Sequence, residues 1–319
     1  MSKIFTQNSN LSSFILLKSL ISYLVSVLYF LSPICLFAWQ SKVGTTGANF
    51  IKINAAARQS GMANAFVAVA DDVNTVQYNP AGLAELNNHE LTATHITYLA
   101  GLKYEYVGYL LPLTKSRIGF SGASLHAKMD ETDVQCISLG EIVLNNTVYT
   151  LSIARKFKTR FSWGVNLKGI GSKIGRYSGW AFASDIGGLY NPPVKNLTLG
   201  FAVQNIGTSM KLIDQKDPLP VNFKIGMAKK LPETKLLLSV EANKSNDSPL
   251  RWNMGTEFIP RKLIALRGGY KIGYDLDTYT VGIGFRFKPK GLDEFQIDYA
   301  YNPMGDVGNT HRFTLISRF

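Results

Sequence analysis

From about residue 91 to the last residue, apolar and polar side chains alternate with a period of two. Between Thr278 and Lys288, Tyr279, Val281, Ile283, Phe285 and Phe287 fall on one face, and Thr280, Gly282, Gly284, Arg286 and Lys288 on the other. The last segment repeats the pattern, with Phe313, Leu315 and Phe319 against Arg312, Thr314 and Arg318. Successive strand side chains point to opposite faces, so each stretch describes a sheet with one apolar and one wet side. A soluble sandwich or propeller turns the apolar face inward; a membrane barrel turns it outward.

The alternation predicts about fourteen strands: Glu90–Leu99, Lys103–Leu113, Arg117–Ala127, Thr147–Phe157, Arg160–Gly171, Ala181–Tyr190, Leu197–Ile206, Pro220–Leu231, Lys235–Asn243, Leu250–Ile259, Leu263–Tyr270, Thr278–Lys288, Glu294–Tyr301 and Thr310–Phe319. Each is near the ten-residue length of a membrane-spanning strand, and the even count suits a closed bacterial barrel. Turn residues separate them, as at Asn145-Asn146, Asn191-Pro192-Pro193, Lys216-Asp217-Pro218, Asn246-Asp247-Ser248-Pro249 and Asn302-Pro303. The apolar faces are wide and aromatic near their ends, like the girdles of a membrane protein. The opposite faces carry charge and glycine, which predicts a lumen lined by Lys168, Lys224, Glu241, Arg251, Glu257, Arg267, Arg286, Arg312 and Arg318. Ion pairing is the default for such enclosed charges, with a selectivity path as the alternative.

Only 18% of the 319 residues are charged, 12% are aromatic, and 28 are glycine. The net charge of +12 is spread as single Lys and Arg residues, without the clustered footprint of a nucleic-acid-binding protein. Lys3 and Lys18 precede an apolar stretch from Leu20 to Ala38, with Leu36-Phe37-Ala38 before Trp39. That order predicts an export signal over residues 1–38, a membrane anchor being the alternative. Cys35 lacks the small residues of a lipoprotein signal, and Cys136 is then the single cysteine of the processed chain, so no intramolecular disulfide is expected. Beyond residue 39 no apolar run approaches a helical span. Export without a helix points to a secreted, periplasmic or outer-membrane protein, and strand uniformity selects the outer-membrane barrel of a Gram-negative-type bacterium.

Residues 39–89 differ from the rest. They are rich in alanine and glycine, which permit close backbone approach in a segment packed inside something. Phe50 to Ala57 is expected to form a short helix broken at Gly61-Met62. Phe66 to Ala70 is a candidate buried stretch. Asp71-Asp72 is expected at a turn, with a gate lining as the other reading, and Tyr78-Asn79-Pro80-Ala81-Gly82-Leu83 forms a turn shaped by Pro and Gly.

The ordered series Gly47-Ala48-Asn49-Phe50-Ile51-Lys52-Ile53, Ala57-Arg58, Gly61-Met62, Ala65 to Asp72 and Tyr78 to Leu83 resembles the N-terminal signature of the PorV/PorQ family, which is similar to FadL-type long-chain fatty acid transporters. The resemblance implies an all-β, single antiparallel transmembrane barrel with a partly helical hatch, residues 39–89, folded inside a barrel of residues 90–319. It makes Gly47, Arg58, Gly61, Met62, Asp71, Asp72, Asn79, Pro80, Gly82 and Leu83 the hatch motif. Paired glycines usually follow the Gly-Met of this family, where Ala63-Asn64 stand here. Phe319 resembles the terminal signal read by the barrel assembly machinery.

No catalytic constellation is present. His89, His95, His126 and His311 are isolated and read as girdle or lumen residues, and no Gly-x-Ser-x-Gly elbow, cofactor motif or metal-ligand spacing occurs. Two functions follow from the resemblance. One is passage of hydrophobic or amphipathic small molecules, with a hatch shift or a bulge in an early strand opening a lateral exit. The other is an accessory barrel of a type IX-like secretion system that binds exported cargo or the translocon. Transport predicts an apolar pocket among Phe50, Phe66, Val67 and Tyr78. A secretion role predicts large apolar loops, for which Cys136–Asn146 is the longest candidate.

Overall fold

The computed structural model describes residues 43–319 apart from 133, 136, 137 and 262. The expected export signal, Cys35 and Cys136 lie outside the described residues. Fourteen strands close into one antiparallel barrel: β1 (Glu90–Thr97), β2 (Lys103–Pro112), β3 (Arg117–Thr132), β4 (Ser138–Phe157), β5 (Phe161–Ile174), β6 (Tyr177–Tyr190), β7 (Leu197–Gly207), β10 (Asn222–Leu231), β11 (Leu236–Ser245), β12 (Arg251–Arg261), β13 (Ile264–Ile272), β14 (Tyr279–Phe287), β15 (Glu294–Pro303) and β16 (Asn309–Arg318). Between β7 and β10 the chain forms a small hairpin, β8 (Met210–Lys211) and β9 (Lys216–Asp217).

Closure is made by β1 and β16, in register from Glu90 opposite Arg318 to Thr97 opposite His311. His89 and Phe319 extend the ladder by exchanging backbone N–H···O bonds of 3.1 Å. Closing the sheet removes the edges that lipid cannot satisfy. Hereafter the end holding His89 and Phe319 is the terminal end, and the other is the distal end.

The sense of the sheet is apolar outward. On β5 and β6, Leu167 and Ile186 are 57% and 50% exposed, while the neighbouring Asn166 and Asp185 are fully buried. This inverts a soluble protein, and the outward band of Phe120, Leu151, Trp163, Phe182, Phe201, Ile225 and Phe313 is the lipid-facing belt.

The strand boundaries depart from expectation chiefly at β3 and β4. The expected Cys136–Asn146 loop is strand from Ser138 onward, paired with β3 from Leu125 to Thr132. This extension reads as loop because it rises past the apolar belt, where both faces meet water and the alternation fades.

Residues 43–89 run inside the barrel from the distal to the terminal end. Gly47 N–H donates to Pro218 O beside the β8–β9 hairpin, Ala57 N–H to Thr314 Oγ1 midway, and Glu85 accepts from Ser162 near the terminal end. The segment is mostly irregular, with three 3₁₀ turns, Asn49–Lys52, Val73–Gln77 and Pro80–Glu85, and one short helix, α1 (Ala57–Gly61). The helix thus starts where the sequence reading ended it: the first residues of the expected helix lie in the 3₁₀ turn Asn49–Lys52, and residues 53–56 are not helical. Ala63 and Asn64 both hold positive φ, 54° and 61°. Both positions thus hold the left-handed backbone that glycine adopts freely, at a cost, for Ala63, of about 1–2 kcal/mol.

Wall glycines make room for this irregular backbone. A Cβ on Gly187 would strike the Asn79 side chain, one on Gly164 the Pro80 carbonyl, and one on Gly200 the Val67 carbonyl. A Cβ at Gly61 would stand 3.1 Å from the Cα of Gly282. Gly187→Ala is expected to lower stability by about 1–3 kcal/mol, the cost of overpacking. Gly169→Ala, with no atom within 4 Å of the new methyl, serves as the neutral control. Thermal unfolding followed by the gel-mobility shift of the folded barrel measures both; equal midpoints would contradict the packing argument.

Candidate functional site

The segment is held to the wall by ionic contacts in the lumen. Arg58, on α1, is 4% exposed and meets three carboxylates. Its Nε and Nη2 donate to Glu257 of β12 at 2.9 and 2.8 Å, and its Nη1 donates to Asp71 at 2.6 Å and Asp72 at 3.0 Å. Arg267 of β13 extends the network, donating to Glu257 at 2.7 Å and to Asp298 of β15 at 2.7 Å, while Arg286 lies 3.6 Å from Glu257. Burial alone would strip charge from these groups. For Arg58 the carboxylates more than offset burial and hold the guanidinium charged. For Asp71, burial opposes ionisation, yet Arg58 and Lys230 hold its carboxyl well below the usual range. Asp72 goes the other way: burial dominates, Arg58 offsets it only in part, and its carboxyl is pushed up.

Elsewhere the wall satisfies the segment's backbone. Glu241 of β11 accepts from Phe66 N–H and Val67 N–H at 3.0 and 2.9 Å, and Glu90 of β1 accepts from Val73 N–H at 2.9 Å. Asn166 donates to Val76 O, Gln204 to Gln77 O and Tyr78 O, and Thr280 accepts from Ala63 N–H. Such partners are obligatory, because irregular backbone away from water has no ladder of its own. Asp72 and Asn79 each cap the 3₁₀ turn that follows them, and Asn79 Nδ2 also donates to Val67 O and Gly188 O. Asp71-Asp72 therefore combines a turn with an ionic anchor. Gly82 packs so tightly on Ala70 and Thr75 that no Cβ fits, Met62 lies buried against Gly255, and Leu83 joins Val73, Val76, Leu86 and Leu110 in an apolar cluster.

The nine charges expected to line the lumen all sit at inward positions. Lys168 pairs with Asp185 at 2.7 Å, Lys224 with Glu241 at 3.4 Å, and Arg318 with Glu90 at 2.8 Å and with Glu294. Arg312 reaches Ser60, and Arg251 lies 4.5 Å over the Tyr274 ring. The sequence reading missed Asp185, Asp298, Glu90 and Lys271. All four obey the same two-residue parity, as in Gln296–Asp298–Ala300 against Phe295, Ile297 and Tyr299, so the signal was present. The histidines, by contrast, keep to the outer face: His89 stacks on Phe319 at 5.6 Å, His311 hydrogen-bonds Tyr299 at 2.8 Å, and His95 pairs with Glu105.

The lumen is not polar throughout. Across β1–β3 and β5 it presents Ile96, Tyr104, Tyr106, Leu125 and Ile170, which join Phe50 in one apolar cluster, while most of the inward charges lie on β11–β16, with Lys168–Asp185, Lys224 and Glu90 elsewhere. The expected apolar pocket among Phe50, Phe66, Val67 and Tyr78 is not found among the described residues. These side chains are 7% exposed or less and close-packed, with Phe66 edge-on to Tyr78 at 5.4 Å.

Open space lies instead at the two ends. The distal cavity, about 430 Å³, is lined by Asn49, Asn222, Asn253, Arg251, Lys271, Tyr274 and Arg312, among others. The terminal cavity, about 540 Å³, has an apolar wall of Leu231, Pro232, Leu236, Leu237, Ile259 and Pro260 and a charged floor of Arg58, Asp71, Glu257 and Arg286. A third cavity of about 430 Å³ opens in the wall between Leu167, Lys168, Phe182 and Ile206. It adjoins a bulge in which Gln204 and Asn205 of β7 stand opposite Asp185 of β6, with Asn205 at φ 62° and its N–H donating to Asp185 at 2.8 Å. A bulge was expected in an early strand; the early register shift, in β3–β4 at Glu131/Thr132, lies at the distal tip, and the mid-wall bulge is in β6–β7.

A family described as an uncharacterised protein family (UPF0164) matches residues 36–233. The chain belongs to that family. No curated protein sequence matches this UPF0164 member. Its fold is similar to that of the Ralstonia pickettii toluene transporter TbuX, at 10% identity and a TM-score of 0.59, covering 83% of this chain and 97% of the other. A Pseudomonas aeruginosa FadL homologue superposes with a TM-score of 0.56 at 12% identity, covering 83% and 98%. The Pseudomonas putida toluene transporter TodX gives 0.56 at 10% identity, covering 83% and 97%. At these identities the likeness concerns the fold.

Removing the buried guanidinium takes from Asp72 its ion-pair partner and from Glu257 its bidentate one, leaving Glu257 to Arg267 and Arg286. Arg58→Ala is therefore expected to cost about 3 kcal/mol in the unfolding of the barrel with its segment. The pH dependence has a definite sign. The stabilisation from Asp71 is present above the ordinary carboxylate pKa of about 4 and is lost as pH falls below it, because the folded-state value is depressed. Wild type should therefore lose stability between about pH 4 and pH 2 more steeply than Asp71→Asn, and parallel melting profiles would rule out this contribution.

Proposed function

We propose that this protein is an outer-membrane channel for amphipathic small molecules, closed here by residues 43–89 acting as a hatch. The observation that carries the reading is the contrast between the two ends. A polar distal cavity and a largely apolar terminal cavity lie on either side of a segment tied to the wall by hydrogen bonds and ion pairs. A solute crossing from one to the other meets both kinds of wall. The longest connection between barrel strands, residues 208–221, is at the distal end, which supports placing that end outside the cell.

The fold shared with FadL-type and toluene transporters supports passage, whereas the resemblance of the 47–83 motif to PorV/PorQ proteins is what the secretion reading rests on. The wall cavity at the β6–β7 bulge supplies a lateral route for the apolar part of a solute. A role as a secretion accessory is less well supported. It calls for large apolar loops, and the segment expected to be the longest loop is strand from Ser138. Phe319 is the residue we assign to recognition by the barrel assembly machinery, and no step of the proposed passage needs catalysis.

Ser60 and Asn302 face each other across the segment–wall boundary at 2.8 Å. A Ser60→Cys/Asn302→Cys pair should form a tether that lowers uptake of a fluorescent medium-chain amphiphile into proteoliposomes at least tenfold, with recovery on reduction. Deletion of residues 43–89 should raise it. No uptake by either the wild type or the deletion variant would overturn the channel reading.

A further inference from the structure

Most cations of the distal cavity are matched by a carboxylate. Lys52 pairs with Asp247, Lys224 with Glu241 and Lys271 with Asp277. Two guanidinium groups are not. Among the described residues Arg251 and Arg312 form no ion pair. Arg251 donates Nε to Gly273 O at 3.2 Å and lies over Tyr274. Arg312, 6% exposed, reaches Ser60 Oγ through Nη1, while its Nε has no partner. A buried cation without a counter-charge is costly, so this cavity is short of an anion.

The same walls are short of donors. Among the described residues the amide oxygens of Asn222 and Asn253 are buried without a partner, and Asn253 is 2% exposed. Both residues line the cavity together with Arg251, Arg312 and Lys271. Guanidinium forks recognise carboxylates and phosphates, and a free amide oxygen accepts from a hydroxyl. The volume of about 430 Å³ is in the range of small-ligand sites. The Asn-rich lining would desolvate poorly against an alkyl chain.

We infer that the distal cavity is a binding site for a small hydroxylated anion, a carboxylate or phosphate carried on a sugar-like skeleton, gripped by Arg251 and Arg312 with its hydroxyls on Asn222 and Asn253. The group arrives either as a free sugar acid or sugar phosphate, or as the head of an amphiphile. As a statement about the transported solute this rests on the channel reading. Binding is measured without transport, so the two fail separately.

Calorimetric titration of the purified full-length chain in detergent micelles with glucuronate, glucose 6-phosphate, glucose, octanoate and octyl glucuronide tests it. Saturable binding of glucuronate and glucose 6-phosphate is expected, with glucose and octanoate at least tenfold weaker. Octyl glucuronide binding tenfold tighter than glucuronate would identify the amphiphile as the source, and equal binding the free sugar acid. Arg251→Gln and Arg312→Gln should each weaken glucuronate at least tenfold, Arg312→Lys should recover part of the loss, and Lys128→Gln on the exposed β3 extension should change nothing. Arg251 is only half-buried, so its variant keeps the test intact should Arg312→Gln misfold, with folding read from gel mobility. Glucose or octanoate binding as tightly as glucuronate, an absence of heat with both anions, or glucuronate binding indifferent to Arg251→Gln would overturn the proposal.

Discussion

The buried guanidinium of Arg58 is the contact on which the lumen's organisation depends. It draws together Asp71 and Asp72 of its own segment and Glu257 of the wall, and Glu257 in turn orders Arg267, Arg286 and, through Arg267, Asp298. Buried charges are tolerable only when paired and hydrogen-bonded, which makes such a cluster specific rather than merely adhesive. Shifting the segment by one residue would strand several charges at once, whereas an apolar contact would slide at little cost.

Around that anchor the wall divides its labour. Strands β1–β3 and β5–β6 offer apolar side chains that pack on Phe50 and its neighbours, and β11–β16 offer carboxylates, hydroxyls and guanidiniums. Glycines complete the fit where backbone meets backbone, at Gly164, Gly200 and Gly282, and at Gly187, where the Asn79 side chain fills the space. The result is a filled centre with space left at the two ends, one polar and one largely apolar. A lumen of this kind passes a solute only when its contacts are exchanged, and polar contacts can be exchanged for those of water or of a solute.

Much of this was legible in the chain. The strands and the two faces of each followed from alternation, because period two is a local property; the outward sense of the aromatic face and closure needed the expected export signal and the even strand count as well. The same parity placed Lys168, Arg267 and Arg312 inside, and it applies equally to the overlooked Asp185 and Asp298. The distal halves of β3 and β4 were not legible, since beyond the lipid belt both faces are wet and no periodicity is imposed. Nor was the start of α1: a five-residue helix among alanines carries too short a period to locate.

The sequence by itself determined the strand number and which side chains share a face, since each depends only on neighbours a few residues away, and the expected export signal gave that face its outward sense. Tertiary structure alone decided which charges meet. Arg58 and Glu257 lie 199 positions apart and Ser60 and Arg312 252 apart, and closure with its register sets both distances. It also decided that Phe66 and Tyr78 close-pack instead of lining a pocket, and that Arg251 and Arg312 are left without carboxylates among the described residues. Such outcomes depend on how a segment without regular ladders is threaded through a closed wall, and no periodicity encodes that path.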